Sequence, residues 1–147
     1  MIHAPKREER LAAVPLFCDL DDAELEQVSH LMTDIRAGAG AVLMRQGESG
    51  SEFVIVLDGQ VEVTHDGRSV ATLGPGTWFG EIALLDSRPR TATVAAKTTV
   101  TIEVLTRNEF CTLLADVPDL SVKLLATMAR RLAELKGDDV LRGSGRV

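Results

Sequence analysis

Apolar and polar residues follow a helical period near both ends of the chain and a β period in the middle. Near the start, Asp21 and Glu24 form a capping-box pattern, which predicts that a helix begins there. Behind it, apolar residues recur at the spacing of one helix face: Leu25, Val28, Leu31 and Met32. The preceding segment 14–17 (VPLF) is expected to plug into the core beneath this helix.

From about residue 33 the chain has closely spaced glycines and short apolar runs, which are typical of an all-β structure. Val61 and Val63 alternate with polar residues, so we expect them in the core, together with Val70. The Asp66-Gly67 pair predicts a tight hairpin turn. The predicted strands cover 41–44, 53–57, 60–64 and 69–73, then a segment starting near Thr91, and an alternating run over 100–105.

Helical spacing returns after the strands. Thr106 and Glu109 form a second capping-box pattern, and Pro118 marks the start of a last helix, where its missing N–H has no cost. Gly137 is expected to end that helix. Its apolar stripe consists of Leu120, Leu124, Met128, Leu132 and Leu135. The predicted fold class is therefore α+β, an antiparallel β-roll or jelly roll flanked by an N-terminal helix and two C-terminal helices.

Length and charge limit the classes of protein to consider. With 147 residues the chain has room for one domain with a sizeable core. We expect an N-terminal arm or helix over 1–13, the domain over 14–137 and a flexible tail over 138–147. The net charge of −6 argues against a general binder of nucleic-acid backbones, although an acidic protein can still bind a small anion in one focused pocket.

Neither a targeting segment nor a metal site is expected. The first thirteen residues contain no apolar core, and no apolar run approaches the ~20 residues that a membrane span needs. Cys18 and Cys111 lie far apart, and His3, His30 and His65 are scattered, without the spacing of metal ligands. We therefore expect two reduced, buried thiols in a cytoplasmic protein.

The candidate chemistry lies in residues 74–94, which do not follow strand alternation. Glycines precede a short helical turn expected over 81–85, whose first amides lack internal partners and therefore suit an anion. Gly80 lets the backbone approach a ligand closely, and Arg90 offers a planar fork to phosphate oxygens. Glu81 fits beside an anion if it accepts hydrogen bonds from sugar hydroxyls. Together these residues predict a nucleotide ligand.

The segment FGEIALLDSRPRTATV resembles the phosphate-binding cassette of cyclic nucleotide-binding domains, and the resemblance covers roughly residues 14–136. It implies that Glu81 binds the ribose 2′-hydroxyl and that Arg90 pairs with the exocyclic phosphate oxygens. The implied ligand-binding residues are Phe79, Gly80, Glu81, Ile82, Ala83, Arg90 and Thr91, with the Ala83 and Thr91 amides completing the phosphate cradle and Ile82 and Leu84 walling the sugar and base side.

The resemblance also implies a lid and favours cAMP over cGMP. Thr91 suits either base, so it does not decide between them. The last helix is expected to move over the pocket, with Arg131 and Leu135 as possible lid residues. Further candidates on the same segment are Lys136, Val140 and Leu141. No Phe, Trp or Tyr is available there, because all aromatic residues precede residue 111.

The resulting hypothesis is a cyclic nucleotide sensor without catalytic activity, cofactor or metal. No general-base histidine, metal cluster or P-loop supports an enzyme. Direct nucleic-acid binding is not expected, since only about ten residues follow Gly137. A ligand-free interaction module, or a regulatory fragment of a larger channel, kinase or transcription regulator, stays open as an alternative. The last helix could also contact an effector or a second copy of the chain.

Overall fold

The computed structural model describes residues 7–86 and 88–138, except for the side chains of Arg7, Arg131 and residues 135–138. These residues form two compact units. A helical unit contains the described residues up to Leu31 and those from Phe110 onward, and a β unit contains residues 32–109. The tail predicted over 138–147 lies outside the described residues, apart from the backbone of residue 138.

The β unit consists of eight antiparallel strands in two sheets of four. The strands are β1 Thr33–Ala37, β2 Val42–Met44, β3 Glu52–Asp58, β4 Val61–His65, β5 Arg68–Leu73, β6 Trp78–Phe79, β7 Thr93–Ala96 and β8 Val100–Thr106. One sheet has the order β1-β8-β3-β6 and the other has the order β2-β7-β4-β5. The predicted antiparallel β-roll is confirmed.

The core of the β unit is filled from both sheets. Val56 and Ile102 come from one sheet, and Val61 and Val63 come from the other; all four are buried in one cluster. Phe79, at the end of β6, belongs to the same cluster. Because successive strand residues point to opposite faces, every second residue of β4 enters the core, as the alternation predicted.

The hairpin between β4 and β5 turns at Asp66 and Gly67, as predicted. Their φ angles are 51° and 80°, and a type I′ turn needs positive φ at both positions. A β-bulge shifts the strand register between Val63 and Thr64, and Val70 in β5 has no residue paired with it on β4. Val70 is 60% exposed, because the neighbouring Ala71 and Leu73 take the core face of β5, so the prediction that it is a core residue is wrong.

Two strands were not predicted, and one is more buried than predicted. In β1 four of five residues are exposed, among them Ile35, so no apolar pattern marks the strand. Strand β6 has only two residues. In β8, Glu103 and Leu105 are buried as well as the alternating set that includes Ile102, so this strand is buried on both faces. The ends of the other strands lie within two residues of the predictions.

The helical unit contains α1 Arg7–Ala12, α2 Asp22–His30, most of α3 Arg107–Asp116, and α4 Pro118–Asp138. The capping box of α2 is present: Asp21 accepts from the Glu24 amide at 2.8 Å, and Glu24 accepts from the Asp21 amide at 2.9 Å. A reciprocal pair also precedes α3, between Thr106 and Glu109. Helix α4 continues through Gly137 to residue 138, one residue beyond the predicted end.

The segment 14–17 anchors the start of the helical unit. It contains a 3-10 turn, Pro15–Phe17, and Phe17 packs edge-on against Phe110 with ring centroids 6.2 Å apart. The predicted burial of this segment in the core is confirmed, and its turn packs on α1 and α4. Cys18 and Cys111 are free thiols, but both are exposed, because the adjacent Phe17 and Phe110 take the buried positions. The prediction of buried thiols is therefore wrong.

Helix α4 has a polar connection to the start of the chain and an exposed apolar face. The Asp19 carboxylate accepts from the Arg130 guanidinium and from the Thr127 hydroxyl, and both bonds lower the pKa of Asp19. Lys123 donates to Glu24 at 2.7 Å. Three apolar residues of the helix are about two-thirds exposed: Val122, Leu125 and Leu132. No helix within residues 7–86 and 88–138 is long and apolar enough to cross a membrane.

Candidate functional site

The candidate segment bends at Gly80 into a short helical turn. Gly80 has a φ of 75°, in the left-handed region that glycine adopts without strain. A 3-10 turn, Glu81–Leu84, follows it, as predicted apart from its last residue. The Ala83 amide donates to the Gly80 carbonyl at 3.0 Å, so this amide already has a partner inside the turn, which was not predicted.

Arg90 places a partly desolvated cation beside this turn. Its side chain is 8% exposed, and Nη2 donates to the Glu52 carbonyl at 2.7 Å and lies 3.7 Å from Glu52 Oε2. Burial lowers the pKa of the Arg90 guanidinium, and the Glu52 carboxylate opposes that effect. Because arginine keeps its charge in proteins and carries five N–H donors, the group retains donors for an anion beyond its bond to Glu52.

Two glycines make room for the Arg90 side chain. A Cβ on Gly50 would overlap the Nε, Cζ and Nη2 atoms of Arg90. A Cβ on Gly80 would overlap Arg90 Nη1 and the Glu52 carbonyl oxygen. The sequence predicted that Gly80 makes room for the ligand; in the structure it makes room for the arginine and for a neighbouring strand.

The main chain of Arg90 is held by the loop that follows β2. Its N–H donates to the Glu48 carbonyl at 2.9 Å, and its carbonyl accepts from the Gly47 amide at 2.8 Å. Ser49 and Pro89 form an antiparallel bridge next to these bonds. Arg90 is therefore fixed through its backbone by this loop and through its guanidinium by β3.

Glu81 directs its carboxylate toward the indole of Trp78. Trp78 Nε1 donates to Glu81 Oε1 at 3.3 Å, and both residues are half-buried. A carboxylate accepts several hydrogen bonds, so Glu81 also has capacity for a ligand hydroxyl. Trp78 was given no role in the sequence-based prediction, yet it contacts one of the two central site residues.

The structure divides the other predicted site residues into buried and exposed ones. Phe79 is 1% exposed within the β core, so its side chain serves packing, and its contact with a ligand stays a prediction. Ala83 is also buried. Ile82 is half exposed and Thr91 is exposed, as a ligand contact requires. The Thr91 carbonyl lies 2.8 Å from His65 Nδ1.

The Arg88 side chain is described by the structure, whereas those of the possible lid residues are not. Arg88 is a solvent-exposed charge that pairs with Asp86 at 2.6 Å. Arg131, Leu135 and Lys136 lie on α4, but their side chains are outside the described residues. Val140 and Leu141, the remaining lid candidates, fall outside them entirely.

A cavity of about 160 Å³ adjoins Arg90. It is lined by β2 and the loop after it and by Glu52 and Arg90, and its polar lining includes Arg45 and Glu48. The role of Glu52 in this site could not be predicted from the sequence, because a glutamate at the start of a strand carries no signal of a contact with a residue 38 positions away.

Residues 35–116 match the sequence profile of the family described as "Cyclic nucleotide-binding domain". The chain is 40% identical over 111 residues to the cAMP-dependent protein kinase regulatory subunit of Yarrowia lipolytica, which covers 74% of this chain and 30% of that protein. It is 36% identical over 131 residues to the acetyltransferase Pat of Mycolicibacterium smegmatis, covering 86% of this chain and 39% of that protein.

Solved structures show the same fold. The N-terminal domain of a transcriptional regulator from Streptomyces coelicolor A3(2) superposes with a TM-score of 0.80 at 28% identity, covering 92% of this chain and 99% of that one. A structure described as "Sp-2Cl-cAMPS bound to PKAR CBD2" gives a TM-score of 0.62 at 29% identity, covering 88% of each chain. The two sequence relatives are longer, and the chain spans between 30% and 39% of their length.

Proposed function

Because the chain belongs to the cyclic nucleotide-binding domain family, we propose that its β unit binds a cyclic nucleotide and that cAMP is favoured over cGMP. Arg90 pairs with the exocyclic phosphate oxygens, and Glu81 accepts from the ribose 2′-hydroxyl. The Ala83 and Thr91 amides complete the phosphate cradle, and Ile82 lines the sugar and base side. The similarity to cAMP-dependent protein kinase regulatory subunits supports the preference for cAMP.

The buried guanidinium of Arg90 is the observation that carries this proposal. A cation that is 8% exposed has lost most of its hydration, and its pKa is lowered by that burial. Two glycines leave room for it, and the Glu52 carbonyl accepts a hydrogen bond from it. A phosphate anion would repay this desolvation with short, charge-assisted hydrogen bonds, which a planar guanidinium forms in pairs.

The contact between Glu81 and Trp78 supports the ribose part of the proposal. The 3.3 Å bond to the indole is long for a hydrogen bond, so exchanging it for a hydroxyl costs little. The Ala83 amide requires a similar adjustment, since it donates to Gly80 in this structure. It can reach a phosphate oxygen by sharing or releasing that bond.

We further propose that ligand binding moves the C-terminal helices over the base. Helix α4 has an exposed apolar face, formed by Val122, Leu125 and Leu132. Covering this face removes apolar surface from water, which is favourable. A ligand shifts the position of these helices only by its better contacts in the closed state. Unchanged hydrogen-exchange protection over residues 117–136 at saturation would contradict the lid and leave an effector or a second copy as the partner of this face.

The chain acts as a regulatory module, without catalysis of its own, for a channel, a kinase, a transcription regulator or another effector. The family itself is a binding domain, and its relatives carry it within longer proteins. Incubation with cAMP should therefore return the nucleotide unchanged, as chromatography would show.

Thermal unfolding without nucleotide, with cAMP and with cGMP tests the proposal. Ligand at one hundred times its dissociation constant stabilises by about 2.7 kcal/mol, which corresponds to a rise in melting temperature of roughly 5–10 °C. Arg90→Ala should abolish the rise. Arg88→Ala removes an exposed arginine two residues away and should retain it.

Each outcome decides between specific readings. A rise that Arg90→Ala removes and Arg88→Ala keeps supports the phosphate contact, and the nucleotide with the larger rise is the preferred ligand. Equal rises in all three proteins would place the ligand away from Arg90. No rise with either nucleotide at millimolar concentration would favour the ligand-free interaction module.

A further inference from the structure

Two segments that are distant in sequence meet at the carboxylate of Asp66. Asp66 occupies the turn between β4 and β5 with a φ of 51°. Its Oδ1 accepts from Gln46 Nε2 at 2.8 Å, and its own amide donates to Gln46 Oε1 at 2.9 Å. Its Oδ2 lies 3.3 Å from His65 Nε2. We name these three residues, Gln46, His65 and Asp66, the clasp.

One arm of the clasp leads to the backbone of Arg90. Gln46 immediately precedes Gly47 and Glu48, the residues that bond the carbonyl and the amide of Arg90. The Gln46 amide also donates to the Thr93 hydroxyl at 3.0 Å, so the loop is tied to β7 just beyond Arg90. A displacement of Gln46 would therefore shift both backbone partners of the arginine.

The other arm leads to Thr91. A carbonyl oxygen only accepts hydrogen bonds, so His65 Nδ1 is the donor in its 2.8 Å contact with the Thr91 carbonyl. Thr91 follows Arg90 directly, and its carbonyl bond fixes the orientation of the main chain on that side. With its proton on Nδ1, a neutral imidazole has only a lone pair on Nε2, so the Asp66 carboxylate, which also only accepts, gains no hydrogen bond from it. The arm through Gln46 is therefore the one that Asp66 holds by hydrogen bonds.

We propose that Asp66 is a positioning residue for the phosphate-binding arginine, acting through Gln46. This inference rests on the proposed function for its effect on ligand affinity, but not for its effect on the Arg90 backbone. All three clasp side chains are at the surface, where a single hydrogen bond contributes little to stability. Together these hydrogen bonds set the position of the Arg90 backbone, and a phosphate contact is sensitive to the position of the arginine.

The turn conformation allows the hydrogen bonds to be removed without disturbing the turn. Asp66→Gly keeps a residue suited to positive φ and removes both carboxylate contacts. Asp66→Asn also tolerates positive φ and keeps an acceptor for Gln46. Asp58→Asn serves as a matched control, because it changes an exposed carboxylate at the far end of β3 from Glu52.

We expect Asp66→Gly to weaken cyclic nucleotide binding about three- to tenfold in calorimetric titration. Asp66→Asn should bind within about twofold of the wild type, and so should Asp58→Asn. Gln46→Ala should resemble Asp66→Gly, and the double variant should bind no more weakly than either single one, since both remove the same link. Melting temperatures without ligand should agree within about 2 °C.

Hydrogen exchange of the Arg90 amide gives a second readout that needs no ligand. This amide donates to Glu48, and its exchange should be about fivefold faster in Asp66→Gly than in Asp66→Asn. Wild-type affinity and unchanged exchange in Asp66→Gly would overturn the proposal, as would an equal loss in both variants. If the wild type binds no cyclic nucleotide, the proposed function fails, and the exchange rates still decide whether the clasp positions Arg90.

Discussion

Gly50→Ala is a small change that should displace the Arg90 side chain while it alters the stability of the fold only slightly. The added Cβ would overlap the guanidinium of Arg90, and no other atom lies as close to it. The φ of Gly50 lies outside the left-handed region, so alanine has no backbone strain there. The arginine is the flexible partner, and it must therefore move.

The expected cost follows from the contact that is lost. Moving the guanidinium breaks its bond to the Glu52 carbonyl, and a hydrogen bond to a charged group contributes about 1.5–3 kcal/mol. Renewed hydration of the cation returns part of this, so we expect a net destabilisation of about 1 kcal/mol, or about 2–4 °C. The lost phosphate contact costs about 2–5 kcal/mol of binding free energy, which is roughly thirtyfold or more in Kd.

Gly76→Ala is the matched control for this experiment. Gly76 has a φ of 90° and no atom near its potential Cβ, so alanine there has backbone strain of about 1–2 kcal/mol without touching Arg90. The two variants should therefore melt at similar temperatures in thermal unfolding but differ in Kd by calorimetry. Wild-type affinity in Gly50→Ala, or an equal loss in Gly76→Ala, would refute the reasoning.

Three other predictions concern the ribose contact, its optical signal and the acid stability of the helical unit. Glu81→Ala should weaken cAMP binding about tenfold and abolish the preference for cAMP over its 2′-deoxy analogue in competition titration, since alanine has no acceptor for the 2′-hydroxyl; a retained preference would contradict the ribose contact. Trp78 is the only tryptophan and donates to Glu81, so its emission should change on cAMP binding and stay constant in Glu81→Ala. The pKa of Asp19 is lowered in the fold by Arg130 and by a hydroxyl, so its contribution is complete above its ordinary pKa near 3.8 and is lost as pH falls below it. The melting temperature of the wild type should therefore fall further from pH 5 to pH 3 than that of Asp19→Asn. Equal falls would refute the contribution of Asp19 to acid stability.

The sequence predicted those elements whose signals are local. The Asp66-Gly67 turn depends on the φ preferences of two adjacent residues, and the capping box at Asp21 depends on residues three positions apart. The cassette around Arg90 is a continuous segment, so its turn and its arginine could be located without a structure. The family and the β-roll followed from the same segment and from the strand spacing.

The features that were missed depend on contacts between distant segments. Strand β1 lies at the edge of its sheet with Ile35 exposed, so no buried face imposes alternation on it. Val70 is exposed because Ala71 and Leu73 take the core face of β5, and the choice of face depends on how β5 pairs with β4. The contact of Glu52 with Arg90 and that of Gln46 with Asp66 join residues 38 and 20 positions apart, which no spacing rule describes.

The bond between Asp19 and Thr127 has a consequence for the order of folding during synthesis. It joins residues 108 positions apart, and the two halves of the helical unit are separated by the whole β unit. The β unit, by contrast, is continuous in sequence over 32–109. Domains fold as units while they emerge during synthesis, and the β unit is complete before α4 has been made. We therefore expect the β unit to fold on the ribosome first, and the helical unit to form only after α4 has emerged.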